Sequence, residues 1–152
     1  MVIFPQMVSA VNSSDPGLFF RLKAELRKRI LLSSIILAMT LSIAIYPILS
    51  FLGKAEYVEE LPAFFLLIIA TVLLNISYIN HYVLYSFRRD KLLLYATLTG
   101  AISSLIMNMI FIRYFGVFGA ALAIALSYLI LIMAKTYYAK KAEADLVKFP
   151  AE

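Results

Sequence analysis

Four long stretches of this chain contain no charged residue. They cover residues 30–53, 61–87, 92–112 and 114–134. Each is long enough to cross a hydrocarbon layer of about 30 Å as an α-helix that rises about 1.5 Å per residue. A helix in a water-soluble bundle would carry polar residues at helical spacing, and these stretches do not. The pattern predicts an all-α integral membrane protein with four transmembrane helices, at about 30–52, 61–87, 91–112 and 116–134.

The chain before the first uncharged stretch has a different, amphipathic pattern. Asp15-Pro16 suits a helix start, because Asp caps free amides and Pro is tolerated at the first helical position. Apolar residues then recur every four positions opposite basic ones: Leu18, Leu22, Leu26 and Ile30. We predict that residues 1–29 are a cytoplasmic segment whose amphipathic helix lies on the inner membrane surface before turning into the first span. Residues 135–152 mix Lys with acidic residues and predict a frayed, solvated cytoplasmic tail.

Small residues mark the connection between the third and fourth spans. The turn at residues 113–119 is short and predicts an antiparallel hairpin, so that the four spans form two hairpins. Gly116 lies within this turn and is predicted to pack against a helix, and small residues then recur every four positions, at Gly119, Ala123 and Ser127. Such a face lets two helix backbones approach closely, and Asn108 is expected to hydrogen-bond to another helix.

The basic residues of the chain determine its predicted orientation. The formal net charge of +5 suggests a nucleic-acid partner only until the placement of the charges is considered. Twelve basic residues lie before span one, between spans two and three, or after span four: Arg21, Lys23, Arg27, Lys28, Arg29, Arg88, Arg89, Lys91, Lys135, Lys140, Lys141 and Lys148. The opposite loops hold only Lys54 and Arg113. This asymmetry predicts a multi-pass plasma-membrane protein with both termini in the cytoplasm and no nucleic-acid partner.

The second span is the most polar and supplies the candidate substrate path. Asn75, Tyr78, Tyr82 and Tyr85 lie along one helical face, which suits either a polar path open to the cytoplasm or interfacial tyrosine packing. A hydrogen bond between helices is the alternative role for Asn75. His81 lies on another face, within reach of the inner interface, and completes the candidate set Asn75, Tyr78, Tyr82 and His81.

The predicted spans contain few of the residue types that enzymes use for catalysis. The four spans contain no acidic residue, and there is a single histidine and no cysteine. Catalysis or metal binding would need ionisable groups gathered near one depth. We therefore expect no enzyme activity, no metal and no cofactor.

Three phrases carry a resemblance to a known family. Residues 108–129 read NMIFIRYFGVFGAALAIALSYL, residues 82–91 read YVLYSFRRDK, and Phe4-Pro5 stands near the start. They resemble the closing hairpin, a cytoplasmic loop and a short helix-end phrase of the polysaccharide and lipid-linked oligosaccharide flippases, relatives of the multidrug and toxic compound extruders. The resemblance implies part of the carboxyl lobe of an alternating-access transporter in polysaccharide biosynthesis, with a lipid-linked saccharide as substrate.

The departures from that family define the alternatives. Ser104 stands where relatives often have Asn, and no basic residue lies in the four uncharged stretches, so no substrate-binding residue is transferred. The resemblance implies that the chain acts in membrane lipid with further N-terminal helices or another membrane subunit. A self-contained four-span transporter acting as a dimer is one alternative, although such proteins use an embedded Glu that this chain lacks. A non-transporting membrane assembly partner is the other.

Overall fold

The computed structural model describes residues 3–53 and 55–148, and all of its secondary structure in these ranges is helical. The elements are α1 (Ile3–Asn12), α2 (Pro16–Phe51), a 3-10 helix (Ala55–Glu60), α3 (Leu61–Ser86) and α4 (Asp90–Lys148). Three described segments are long and apolar enough to cross a membrane: Pro16–Phe51, Tyr57–Ser86 and Asp90–Leu146. The prediction of an all-α, membrane-compatible chain is confirmed. Lys54 and residues 149–152 of the predicted tail lie outside the described residues.

The start of α2 follows the predicted capping pattern. The Asp15 carboxylate accepts a hydrogen bond from the Leu18 amide at 2.9 Å, and Pro16 is the first helical residue. The helix then runs without a break to Phe51, so the predicted turn between an amphipathic helix and the first span is wrong. No proline interrupts the helix before Pro47, so the backbone has no reason to break between the charged and the apolar parts.

A buried cluster joins all four helices at the end of the molecule that contains α1. Its members are Ile3, Met7, Ala10, Phe19, Leu22, Leu26, Val83, Leu84, Ala139, Ala142 and Leu146. Leu22 and Leu26 of the apolar face of α2 are therefore covered by other helices, although Leu18 is exposed. The sequence predicted that this face lies on a membrane surface. Each fully buried aliphatic side chain in such a cluster contributes about 1.5–3 kcal/mol of burial free energy.

The last part of α4 belongs to this cluster. The sequence predicted a frayed tail from residue 135 onward, but the helix continues to Lys148 and buries Ala139, Ala142 and Leu146. The predicted frayed tail is therefore wrong. These three residues lie three or four positions apart, on one helical face, and burial of that face against the other helices stabilises the extra turns.

Ion pairs and ring contacts connect the segments that were predicted to be cytoplasmic. Lys23 on α2 forms a salt bridge with Glu143 on α4, and Arg89 approaches Asp145 to 3.1 Å. The rings of Phe19 and Phe87 meet edge to face at 5.3 Å between centroids. The amino-terminal segment, the turn after α3 and the carboxyl-terminal part of α4 thus lie together.

Helix α4 folds back on itself at Gly116. This residue has φ 55° and ψ −131°, which is not helical and is readily adopted only by glycine. The Ser127 hydroxyl lies 3.8 Å from the Met107 sulfur, although twenty residues of straight helix would separate them by about 30 Å. We call residues 90–115 the first arm of α4 and residues 117–148 the second arm.

The two arms approach each other closely at Gly119. A Cβ atom added there would lie 2.1 Å from the Phe111 carbonyl oxygen, a distance that only the hydrogen of glycine permits. Further along the second arm, Ala123 and Ser127 are buried, and the Ser127 hydroxyl donates to the Ala123 carbonyl at 2.6 Å. Gly119, Ala123 and Ser127 therefore lie where helices pack closely. The helix-packing role predicted for Gly116 is wrong, because Gly116 is exposed and an added Cβ there would meet no atom within 4 Å.

Candidate functional site

An open groove lies between α1, α2 and α3. Its cavity has a volume of about 430 Å³, within the range of small-molecule sites in proteins. The lining residues are Ile3, Phe4, Leu26, Ile30, Ser33, Ser34, Asn75, Tyr78 and Tyr82. Three of the four residues proposed from sequence for a substrate path, Asn75, Tyr78 and Tyr82, thus line one cavity.

Asn75 forms the inner limit of this groove. Its side-chain amide donates a hydrogen bond to the Ser34 hydroxyl at 3.0 Å, joining α3 to α2. The alternative role considered for Asn75, a bond between helices, is therefore present together with the groove-lining position. Beyond this bond the space between α2 and α3 narrows to a cavity of about 20 Å³, lined by apolar residues such as Leu37 and Val72. The Ser34–Asn75 bond separates the two spaces.

Aromatic rings surround the mouth of the groove. The Phe4 ring of α1 lies 5.7 Å from that of Tyr82 and 5.3 Å from that of Tyr85. His81 does not line the cavity. Its ring instead lies 5.7 Å from Tyr78 and 5.9 Å from Tyr82, and it stacks on Tyr85 at 6.5 Å. His81 therefore packs beside the lining tyrosines and helps to fix their positions.

The opposite face of α3 contacts the second arm of α4 through polar groups. The Asn80 amide donates to the Thr136 hydroxyl at 2.7 Å, and the Lys135 ammonium donates to the Ser77 hydroxyl at 3.4 Å. Lys135 is 3% exposed, and its ammonium lies 5.7 Å from the centre of the Tyr78 ring. Tyr78 thus has the groove on one side and a buried positive charge near its ring, a cation–π arrangement.

Sequence reasoning assigned Lys135 to a solvated tail and so missed its burial. The residue stands on the same helical stripe as Leu131, Ala139 and Ala142, at spacings of four, four and three. That stripe is the pattern by which its burial could have been recognised. The groove residues Phe4 and Ser34 had no such pattern, because they face α3 only after distant parts of the chain have packed.

Asn108 differs from its expected role. Its side-chain amide donates to the Ser104 carbonyl at 2.8 Å and approaches the Ser104 hydroxyl at 3.3 Å, both within the first arm. The predicted bond to another helix is therefore wrong. The serine four residues earlier supplies acceptors on the same helical face, so Asn108 is satisfied locally.

The chemistry available in the groove is that of neutral hydrogen-bonding groups and aromatic faces. Its polar lining consists of serine and tyrosine hydroxyls and one amide, each able to donate and accept. Among the residues that the structure describes, no group of three His, Asp or Glu side chains is placed to hold a metal ion. This lining suits a ligand with many hydroxyl groups and flat apolar faces.

Comparisons with known proteins identify no relative of this chain. The chain matches no protein-family model, no curated protein and no solved structure.

Proposed function

We propose that this chain is part of a membrane transporter that moves a lipid-linked saccharide by alternating access. The groove between α1, α2 and α3, with Asn75, Tyr78 and Tyr82 in its wall, is the observation that carries the proposal. Tyrosine rings offer flat faces to the C–H side of a sugar ring, and their hydroxyls bond to its hydroxyl groups. The sequence resemblance to polysaccharide flippases points to the same class of substrate.

The proposed arrangement in the membrane has four spans in two antiparallel hairpins. Two spans come from α2 and α3, which are bonded at Ser34 and Asn75, and two come from the arms of α4, which fold back at Gly116. The 36 residues of α2 measure about 54 Å at about 1.5 Å per residue, which exceeds a hydrocarbon layer of about 30 Å. The charged first turns of α2 therefore extend beyond the hydrocarbon.

The proposed orientation places the groove mouth at the cytoplasmic side. Supporting contacts are those of Lys23 with Glu143 and of Arg89 with Asp145, because they gather the basic segments at one end of the molecule. Positive residues concentrated at one end favour the cytoplasmic side of a membrane.

Single-cysteine labelling checks this orientation without background, because the natural chain contains no cysteine. With a membrane-impermeant maleimide on intact cells, we expect a cysteine at Glu59 to react and one at Arg89 to react only after permeabilisation. Both positions are exposed, so accessibility to solvent does not separate them. The reverse labelling pattern would contradict the orientation.

Transport is proposed to require a second helical unit. The outward-facing apolar residues of α2 and of the first arm include Ile43 at 72% and Met109 at 73% exposure, so a large apolar surface is available to lipid or to a partner. In liposomes containing a fluorescent polyprenyl-linked sugar, we expect the isolated chain to bind the sugar without moving it to the other leaflet. Movement should appear when membrane proteins that copurify with the chain in mild detergent are added.

A groove variant makes this experiment specific. Tyr82→Ala removes one aromatic contact of about 1 kcal/mol and should weaken binding of the polyprenyl-linked sugar about fivefold. Tyr46→Ala removes an exposed tyrosine of α2 outside the groove and should leave binding unchanged. Equal binding by both variants would refute the groove as the saccharide site. Gradient-dependent movement by the isolated chain would instead favour the self-contained dimeric transporter.

A further inference from the structure

A second groove lies between the turn that follows α3 and the end of α4. Its cavity has a volume of about 610 Å³ and is separate from the groove between α1, α2 and α3. The turn contributes Arg88 and Arg89, the first arm contributes Lys91 and Tyr95, and the second arm contributes Lys141 and Asp145. Neither the proposed saccharide site nor the helix packing explains this concentration of basic groups.

The balance of charge in this groove is positive. Four basic side chains line it against two acidic ones, Asp90 and Asp145. Asp145 is already paired with Arg89 at 3.1 Å, and Asp90 lies in the first turn of α4, where a carboxylate interacts with free backbone amides. In the described part of the chain, no salt bridge joins Arg88, Lys91 or Lys141 to a carboxylate. Three cations therefore remain available to an anion.

The backbone holds Arg88 at the groove in a conformation that arginine rarely adopts. Its φ of 53° lies in the left-handed region, which is unfavourable for a residue with a side chain. Hydrogen bonds from the Arg88 amide to the Tyr85 carbonyl and from the Arg89 amide to the Leu84 carbonyl, both 3.0 Å, maintain this turn. The two arginines are thus set at the end of α3 by the fold.

An exposed apolar stripe leads away from the same groove. Tyr95 lines the groove and is 56% exposed, and the residues that follow it at spacings of three and four on the first arm are exposed as well: Leu98, Ile102, Leu105 and Met109. These residues share one helical face. A ligand that occupies both features has an anionic head and long hydrocarbon chains.

We propose that this groove binds the phosphate headgroup of an anionic glycerophospholipid, whose acyl chains lie along the stripe from Tyr95 to Met109. Arg88, Lys91 and Lys141 contact the phosphate, and the Tyr95 ring lies at the depth of the headgroup, where aromatic residues are enriched. Basic pockets between transmembrane helices on the cytoplasmic side recognise anionic headgroups in the same way. The site is independent of the proposed transport activity.

A tryptophan reporter tests the site directly, since the chain contains no natural tryptophan. Tyr95→Trp is placed in nanodiscs of phosphatidylcholine that contain a small fraction of lipid with brominated acyl chains. We expect brominated phosphatidylglycerol to quench the fluorescence more strongly than the same fraction of brominated phosphatidylcholine. Equal quenching by the two lipids would overturn the proposal.

Charge variants of the Tyr95→Trp protein distinguish a specific lipid site in the groove from general attraction of anionic lipid to the positive charge of the protein. Arg88→Gln with Lys141→Gln should lower the relative affinity for phosphatidylglycerol about thirtyfold. Arg27→Gln with Lys28→Gln removes the same charge from exposed positions of α2 and should keep the preference. Loss of the preference in this control would refute the site. If the first pair fails to fold, Lys141→Gln alone should still reduce the preference, and an unchanged preference would count against the proposal.

Inorganic phosphate distinguishes a lipid from a small anion. Millimolar inorganic phosphate should leave the quenching by brominated phosphatidylglycerol unchanged, because the acyl chains contribute through the apolar stripe. Displacement of the lipid by phosphate would show a small-anion site and would contradict the lipid assignment. A transport assay is not involved, so loss of the proposed transport function would leave this result unaffected.

Discussion

Replacing Gly119 with alanine is expected to destabilise the protein more than an alanine at any other glycine with a described environment. The added Cβ would lie 2.1 Å from the carbonyl oxygen and 2.6 Å from the carbonyl carbon of Phe111. Both are backbone atoms, so the arms of α4 must separate to accommodate it. Overpacking of this kind costs about 1–3 kcal/mol, and we expect at least the upper end of that range because no side chain can move aside.

Two other glycines serve as matched controls. At Gly100 the added Cβ would lie 3.1 Å from the Cδ1 and 3.2 Å from the Cβ of Leu131, so the two arms need to give by only a few tenths of an ångström, and about 1 kcal/mol is expected. At Gly116 there is space, but φ 55° with ψ −131° is a combination that essentially only glycine adopts, so alanine should cost about 1–3 kcal/mol. Thermal melting and the folded fraction in detergent should therefore rank Gly119→Ala as the most damaging of the three. Equal losses would mean that the arms do not pack as described.

The packing prediction extends along the second arm. Ala123 is fully buried and Leu129 is 42% exposed. We expect Ala123→Leu to reduce folded yield in detergent more than Leu129→Ala, because only a small side chain fits where two helices approach closely. Equal yields would remove the argument for a close contact at Ala123.

Lys135→Met is expected to raise thermal stability. The ammonium group is buried, and its described contacts are the Ser77 hydroxyl at 3.4 Å and the face of Tyr78, with no carboxylate among them. Methionine keeps a long apolar stem and removes a charge that is buried without a paired carboxylate. Because burial of such a charge costs free energy, the variant should be more stable by roughly 1 kcal/mol or more. In this variant the Ser77 hydroxyl can still form a hydrogen bond, because a serine hydroxyl can donate to the carbonyl four residues earlier in its own helix.

Lys140→Met provides the control for this substitution. Lys140 is exposed on the same helix, so its replacement should change the melting temperature little. A lower melting temperature for Lys135→Met than for the natural chain would show that the ammonium makes a net favourable contribution, and would contradict the prediction.

The sequence predicted those helix boundaries that are set by a nearby capping or helix-breaking residue. The cap at Asp15 and the glycine at 116 could be recognised from sequence, and α3 ends at Ser86, one residue from the predicted end of its span. The helical tail could not be recognised by the absence of charge, because residues 136–148 combine lysines on one face with Ala139 and Ala142 on another. Burial of these alanines in the cluster formed with α1, α2 and α3 makes this segment helical.

The candidate groove was predicted only in part for a related reason. Asn75, Tyr78 and Tyr82 share a face because of helical spacing, which the sequence displays. The opposite wall comes from Phe4 and Ser34, which are distant from α3 in the sequence and approach it only through tertiary packing. The sequence places His81 on another face of α3, within reach of the inner interface, and ring packing with the tyrosines beside it accounts for its position.

Because α2 is one unbroken helix, a tilt of the helix as a rigid body would move both of its ends together. The Ser34–Asn75 bond lies near the middle of the helix, with about 25 Å of helix on either side at about 1.5 Å per residue. A tilt of α2 by about 10° around this point would carry each end about 4 Å, and in opposite directions. Widening of the groove at Leu26 and Ile30 would therefore be accompanied by closure of the space between α2 and α3 at the other end of α2.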